Sequence, residues 1–243
     1  MLFSRLKLKT KQINHQYSSK MEKNIDIPSN LLFIGKSFSG KSYLSKYLLY
    51  RLALAKKFHY TALISTTGQF NWSCIPNSWM FKPSQYQQLL FRMFNYHDHL
   101  QKQGISLQGI LIIDDCLGAI NFRDEFWTQV VTTCRQFGIS IWIITQYLNK
   151  VPPVIRASTS YYFFLKMISK RELDACYDQC FPWMSKSEFD KFIQKYTEGY
   201  QAIMVNNKTK SNNPNDMYRV VQAPEKITNF ILSFKSNGYF TVF

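Results

Sequence analysis

The residues Gly35-Lys36-Ser37-Phe38-Ser39-Gly40-Lys41-Ser42 stand at the G-x-x-x-x-G-K-S spacing that suits capture of a nucleoside triphosphate. Gly35 and Gly40 let the backbone turn tightly and bring its N–H groups to a phosphate with no Cβ in the way. Lys41 has the reach for the β- and γ-phosphates, and Ser42 places a hydroxyl on Mg²⁺. A helix starting at Gly40 adds the positive end of its dipole. Lys36, Ser37, Phe38 and Ser39 complete the cradle, with the Lys36 side chain read as solvated. The alternative, a chance match in a Gly/Ser loop, is countered by the setting. Apolar Leu31-Leu32-Phe33-Ile34 precede the motif, and a helical pattern follows it.

A bound triphosphate needs a metal-holding carboxylate on a neighbouring strand. Ile110-Leu111-Ile112-Ile113 lead into Asp114 and Asp115. Asp114, at the carboxyl edge of a buried strand, is the candidate Mg²⁺ residue, acting through water. Asp115 is the candidate that polarises an attacking water. The competing reading is two acids capping a strand in solvent. Gln146 directly follows the next apolar strand and so lies at the same edge, near a γ-phosphate. Arg135 precedes that strand, at its opposite end, badly placed for its own nucleotide and well placed for a neighbour's. That position suits a trans-acting finger supplying charge in the transition state. A surface ion pair is the other reading of Arg135, and Arg156 is the competing finger.

These residues need strands to hold them. The sequence predicts strands at 31–35, 60–65, 109–114, 139–145, 161–165, 200–205 and 217–222. Helices are expected at 40–57, 84–103, 169–180 and 185–197. Another runs from an Asn121 N-cap to Phe137, where Gly138 stops it, and a last one starts near Pro224. The stretch 66–83 reads as a loop with three exposed-looking aromatics, Phe70, Trp72 and Trp79, for which buried or loop-packing roles are favoured over DNA stacking or capsid docking. Pro152-Pro153 mark a further loop, and 206–216 a loop or hairpin tip. Apolar strands alternating with amphipathic helices indicate an α/β fold with a mostly parallel sheet flanked by helices.

The 243 residues suit one sizeable domain, and the net charge of +15 points to a polyanionic partner, nucleic acid before an anionic membrane surface. Residues 1–24 form a basic arm, with Arg5, Lys7, Lys9, Lys11, Lys20 and Lys23 against Glu22 alone. Residues 25–205 are read as the nucleotide-binding core, and 206–243 as a loop, strand and helix completing it. The cysteines at 74, 116, 134, 176 and 180 are scattered, with no signal peptide, which argues against a disulfide framework or secretion. No apolar run is long enough for a membrane span. Cys176 with Cys180, and His97-Asp98-His99, superficially resemble metal ligands. They are read as core thiols and a solvated helix end.

Taken together, the P-loop, Asp114-Asp115, Arg135 before a strand and Gln146 after it resemble the FtsK–HerA superfamily of DNA-pumping ATPases. Ile64-Ser65-Thr66-Thr67 and the stretch from Thr145-Gln146 to Pro152-Pro153-Val154-Ile155-Arg156 are similar to the genome-packaging ATPases of the poxvirus type. The resemblance covers residues 28 to 205. It implies a RecA-like P-loop core, ATP and Mg²⁺, a homo-oligomeric ring hydrolysing ATP at subunit interfaces, and double-stranded DNA in the pore. It also implies a capsid or portal partner, and a place in the host cytoplasm (the viral factory) or on the virion. Many relatives carry Glu where this chain has Asp115. Loop 66–83 and the basic arm are the DNA-contact candidates. A P-loop nucleoside or nucleotide kinase, a non-hydrolysing nucleic-acid-binding or assembly protein with a degenerate site, and a cellular-type DNA pump are the rival readings.

Overall fold

The computed structural model describes residues 21–211, 213–227, 229–234 and 240–242. The strands are β1 (Leu31–Ile34), β2 (Tyr60–Ser65), β3 (Met80–Phe81), β4 (Gly109–Asp114), β5 (Ile139–Thr145), β6 (Tyr161–Phe164), β7 (Gln201–Asn206), β8 (Tyr218–Gln222), β9 (Leu232–Phe234) and β10 (Phe240–Val242). The helices are α1 (Lys41–Leu54), α2 (Gly68–Asn71), α3 (Tyr86–Lys102), α4 (Glu125–Thr133), α5 (Pro153–Ser158), α6 (Lys170–Cys180), α7 (Lys186–Tyr196) and α8 (Pro214–Met217).

One sheet organises them, in the order β3-β2-β4-β5-β1-β6-β7-β8. The first six of these run parallel, while β7 and β8 are antiparallel to their neighbours. β1, β4 and β5 are buried along their whole length. Strands covered on both faces read as continuous apolar runs, which is why they stand out in the sequence. The register pairs Ile34 with Thr145, and Ile144 with Asp114. It thereby brings the carboxyl ends of β1, β5 and β4 together at one edge.

α1 buries Leu44, Tyr47, Leu48, Leu49 and Leu52. It packs not only on the sheet but also against Met21–Asn24 and β10. Met21–Asn24, assigned to the basic arm from sequence, form a one-turn helix with Met21 and Glu22 buried. Glu22 pairs with Arg51 at 2.7 Å, and Lys57 Nζ donates to the Glu22 carbonyl. The rest of the arm, residues 1–20, lies outside the described residues.

Four expectations are corrected. The helix expected from Asn121 to Phe137 is shorter, because Asp124 rather than Asn121 accepts from the first turn (Phe126 N–H, 3.0 Å). Asn121 accepts from Arg123 N–H instead, making a local turn. The Pro152-Pro153 loop contains α5, with Pro153 at the first helical position, where a missing N–H costs nothing. The helix expected from Pro224 is absent among the described residues, and β9 pairs with β10 antiparallel.

The fourth correction is His97. It is 1% exposed, not solvated. Its Nδ1 donates to the Phe137 carbonyl, which can only accept, so Nε2 is left to accept from the Tyr60 hydroxyl at 2.6 Å. Burial lowers its pKa, and the same cause lowers that of His59, whose Nδ1 accepts from Gln108 N–H. Both rings are neutral in the fold, while the unfolded chain takes up protons below about pH 6.5. Their stabilisation is therefore complete above pH 6.5 and lost as pH falls below it. The thermal midpoint should drop between pH 7.5 and 5.5, and by less in a His97→Gln variant. An equal drop in the variant would place the pH sensitivity elsewhere.

Candidate nucleotide site

At the end of β1 the ladder extends one residue, with Gly35 N–H donating to Thr145 O at 3.3 Å. A Cβ on Gly35 would meet Ser39 Oγ at 2.7 Å and Leu165 Cβ at 2.9 Å, so only glycine fits. Lys36 N–H donates to Lys166 O, tying the loop to the end of β6. Phe38 and Gly40 take the left-handed conformation, at φ 60° and 93°. Lys36, Ser37 and Phe38 are exposed, while Ser39 is buried with no partner for its hydroxyl among the described residues. The Lys41 ammonium folds back to donate to the Lys36 carbonyl at 2.9 Å. Burial lowers its pKa, and Asp115 and Asp114 oppose that shift. A cradle with a folded-back cation and an orphaned hydroxyl fits a polyphosphate.

The structure places Ser42 beside Asp114, with Ser42 Oγ donating to Asp114 Oδ2 at 3.2 Å. Asp114 is 5% exposed. Burial raises its pKa and Asp115 adds to the shift, while hydrogen bonds from Trp72 and Ser42 work against it. Two adjacent hard oxygen donors next to a phosphate cradle fit Mg²⁺, which favours such ligands and would offset the buried charge.

Asp115 lies just past β4. Its N–H extends the ladder to Ile144 O at 3.0 Å, and its φ of 53° turns the chain out of the sheet. The carboxylate is exposed. Gln146 Nε2 lies 3.5 Å from Asp115 Oδ2, and Ser37 Oγ donates to Gln146 Oε1 at 3.1 Å. Ser37, Gln146 and Asp115 thus form one polar chain from the loop to the carboxylates.

Arg135 is not part of this group. It is exposed between α4 and β5, at the opposite edge of the sheet. The seven residues of β5 separate it from Gln146 by roughly 20 Å. Arg156 is half-buried, and its Nη1 donates to Gln179 Oε1 at 2.9 Å, so it is engaged within its own chain.

Two contributors escape the sequence reading. Trp72 is fully buried, in line with the loop-packing reading, and its indole Nε1–H donates to Asp114 Oδ2 at 2.7 Å, a partner the sequence did not name. Phe70 does point outward, at 87% exposed, while Trp79 packs on Tyr60. Glu172, also buried, accepts from Leu148 N–H at 2.7 Å and holds the turn that follows Gln146. No spacing rule links Trp72 to Asp114 or Glu172 to Leu148. Aromatic residues followed by Pro76 in the loop are the only hint.

Residues 16–223 match the profile of the family described as Poxvirus A32 protein. The chain belongs to that family. A similar protein is the uncharacterized protein L437 of Acanthamoeba polyphaga mimivirus, 29% identical over 119 residues, or 44% of this chain and 40% of that protein. The match thus spans less than half of the mimivirus protein. Among solved structures, the genome packaging NTPase B204 from Sulfolobus turreted icosahedral virus 2, in complex with sulfate, is similar with a TM-score of 0.61 at 14% identity. The match covers 84% of this chain and 100% of B204. B204 in complex with ATP-gammaS is similar at 0.58. EssC (ATPases 2 and 3) from Geobacillus thermodenitrificans is similar at 0.55 and 12% identity, over 82% of this chain and 41% of EssC. These likenesses establish the fold, that of P-loop ATPases with a mostly parallel sheet flanked by helices.

The Trp72 contact has a measurable consequence. A hydrogen bond to a charged group contributes about 1.5–3 kcal/mol, and this one favours the ionised form of Asp114. Trp72→Phe keeps most of the buried volume and removes the donor. It should weaken Mg²⁺-dependent binding of a non-hydrolysable ATP analogue about tenfold in a calorimetric titration, and change metal-free binding little. Unchanged Mg²⁺-dependent affinity would show that Asp114 needs no help from the indole.

Proposed function

We propose that this chain is an ATPase that drives double-stranded viral DNA into capsids, working as a homo-oligomeric ring. The observation that carries the reading is the meeting of three strand ends at one edge. There the Lys41 cradle, the Ser42–Asp114 pair and the Ser37–Gln146–Asp115 chain adjoin.

In this reading the backbone N–H groups of the loop and Lys41 bind the triphosphate and offset its charge. Mg²⁺, held by Ser42 and Asp114, would supply further neutralisation when bound. Asp115, exposed and acting as base, accepts the proton of the attacking water. Gln146, steadied by Ser37, orients that water beside it. Water attacks the γ-phosphorus, and the bond to the bridging oxygen breaks to leave ADP. Asp is one methylene shorter than Glu, and the left-handed turn at Asp115 aims its carboxylate beyond the sheet edge. Arg135 lies too far from this edge to serve its own subunit, and is exposed for a neighbour's. Arg156, tied to Gln179, is the less available of the two.

The partner is DNA because of the charge. At +15, contact through phosphates is independent of sequence and weakens steeply with salt. Phe70 and the 66–83 segment sit beside the nucleotide edge and remain DNA-contact candidates. The basic arm, largely outside the described residues, is another. A capsid or portal protein completes the packaging machine in the host cytoplasm. Among the described residues no helix is long and apolar enough to cross a membrane.

The purified chain should hydrolyse ATP faster with long double-stranded DNA than without, and Lys41→Ala should abolish turnover with the fold intact. Turnover indifferent to DNA but triggered by nucleosides or nucleotides would replace the motor with a kinase. Normal turnover by Lys41→Ala would remove the site assignment.

A second measurement addresses Arg135. Arg135→Ala subunits mixed with wild type should depress turnover more than dilution does, because each variant disables its neighbour's site. Loss in simple proportion would mean that Arg135 is not shared between subunits.

A further inference from the structure

The P-loop accounts for the phosphate end of a nucleotide, and Tyr200 lies where the other end would go. This ring is 68% exposed. Its backbone is at φ 63°, directly after Gly199 at 58°. A bulky residue held in that region is strained, and strain of this kind persists where surrounding structure enforces it. Here the enforcement comes from Gln222 Nε2, which donates to Gly199 O at 2.7 Å, and from Gln201 N–H, which donates to Glu198 O at 3.0 Å. The result is a ring laid against the phosphate loop. A Cβ on Gly40 would lie 3.2 Å from Tyr200 Cδ1.

Sheet order tells which end of a nucleotide meets this ring. Asp114, Asp115 and Gln146 end β4 and β5, on one side of β1. On the other side lie β6 and β7. Because β7 is antiparallel to β6, its first residues return to the same edge as the P-loop. A triphosphate lying across the loop with its γ-phosphate toward Asp115 and Gln146 therefore directs its sugar and base toward Tyr200. The segment leaving β8 borders the same region. The Tyr43 hydroxyl, one residue after Ser42, lies 3.0 and 2.9 Å from the Pro224 and Glu225 carbonyls and accepts from Ile227 N–H at 3.0 Å.

We propose that Tyr200 is the nucleobase platform of the site, stacking its exposed ring on the purine of a nucleotide whose phosphates occupy the P-loop. The proposal rests on nucleotide binding by that loop. Aromatic faces hold bases by dispersion and π-stacking, with little dependence on the hydrogen-bonding edge of the base. The strained turn keeps the ring in place before the nucleotide arrives, so little ordering remains for binding to accomplish.

The test compares a ligand with a base to one without. AMPPCP and inorganic tripolyphosphate, each with Mg²⁺, are titrated into wild type, Tyr200→Ala, Tyr200→Phe and Lys41→Ala, with folding checked by circular dichroism. Tyr200→Ala should raise the Kd for AMPPCP about tenfold and leave that for tripolyphosphate within about twofold. Tyr200→Phe, which keeps the π-face, should match wild type for both. Lys41→Ala should lose both ligands. Equal weakening of both by Tyr200→Ala would overturn the proposal and make the ring a prop for the loop. No weakening of either would overturn it too. Wild type binding neither ligand would overturn the P-loop reading itself, and the proposal with it.

Discussion

Asp114 ends an entirely apolar strand at 5% exposure, where a lone carboxylate would take up a proton rather than stay charged. Three features make the charge tolerable. Ser42 donates from the first turn of α1, Trp72 donates from the segment after β2, and Lys41 lies nearby. Two come from the start of α1 and the third from the segment after β2. Satisfying this one group therefore requires β1, β2 and β4 to be in register and α1 to start at the right height. A slip in the sheet would leave the carboxylate buried and unpaired, at a cost of several kcal/mol. The same carboxylate links fold and chemistry, since its partners are the P-loop serine and the indole.

Backbone strain has gathered at the same edge. Among the described residues, the non-glycine positions in the left-handed region are Phe38, Lys56, Asp115 and Tyr200. All but Lys56 surround the P-loop. Phe38 lies within the loop after β1, Asp115 directly follows β4, and Tyr200 directly precedes β7. Asp115 shows the balance well. Its N–H still bonds to Ile144, so the sheet fixes the turn, while its side chain leaves the sheet. A rigid sheet thus allows local conformations that a loose loop would relax away.

The sequence revealed most where burial makes residues monotonous. β1, β4 and β5 are covered on both faces, so they appear as apolar runs, and the polar residues ending them stand out. Asp114, Asp115 and Gln146 were legible for that reason, and Lys41 and Ser42 by their spacing from Gly35. Contacts between segments far apart in the chain left no such mark. Trp72 looked like any loop aromatic until chain closure buried it 42 residues from its acceptor. His97 sits in a polar stretch of α3 whose neighbours are exposed. Only the tertiary contact with Tyr60 and Phe137 explains it. Short elements suffered for a different reason. Asn121 and Asp124 are equally good caps in isolation, and the packing of α4 chose between them.

Arg135 and Gln146 stand at opposite ends of β5, a strand buried along its whole length between β4 and β1. A packed strand of this kind moves as a unit because its interior neighbours leave no room for local adjustment. In the proposed ring, one end of β5 answers to the subunit's own nucleotide and the other to the neighbour's. Glu172, which fixes the turn after Gln146 from α6, anchors the near end. The separation that keeps Arg135 from its own site would, in the ring proposed above, give the ring its order. Hydrolysis at one proposed interface would then act on a rigid element whose far end lies at the next.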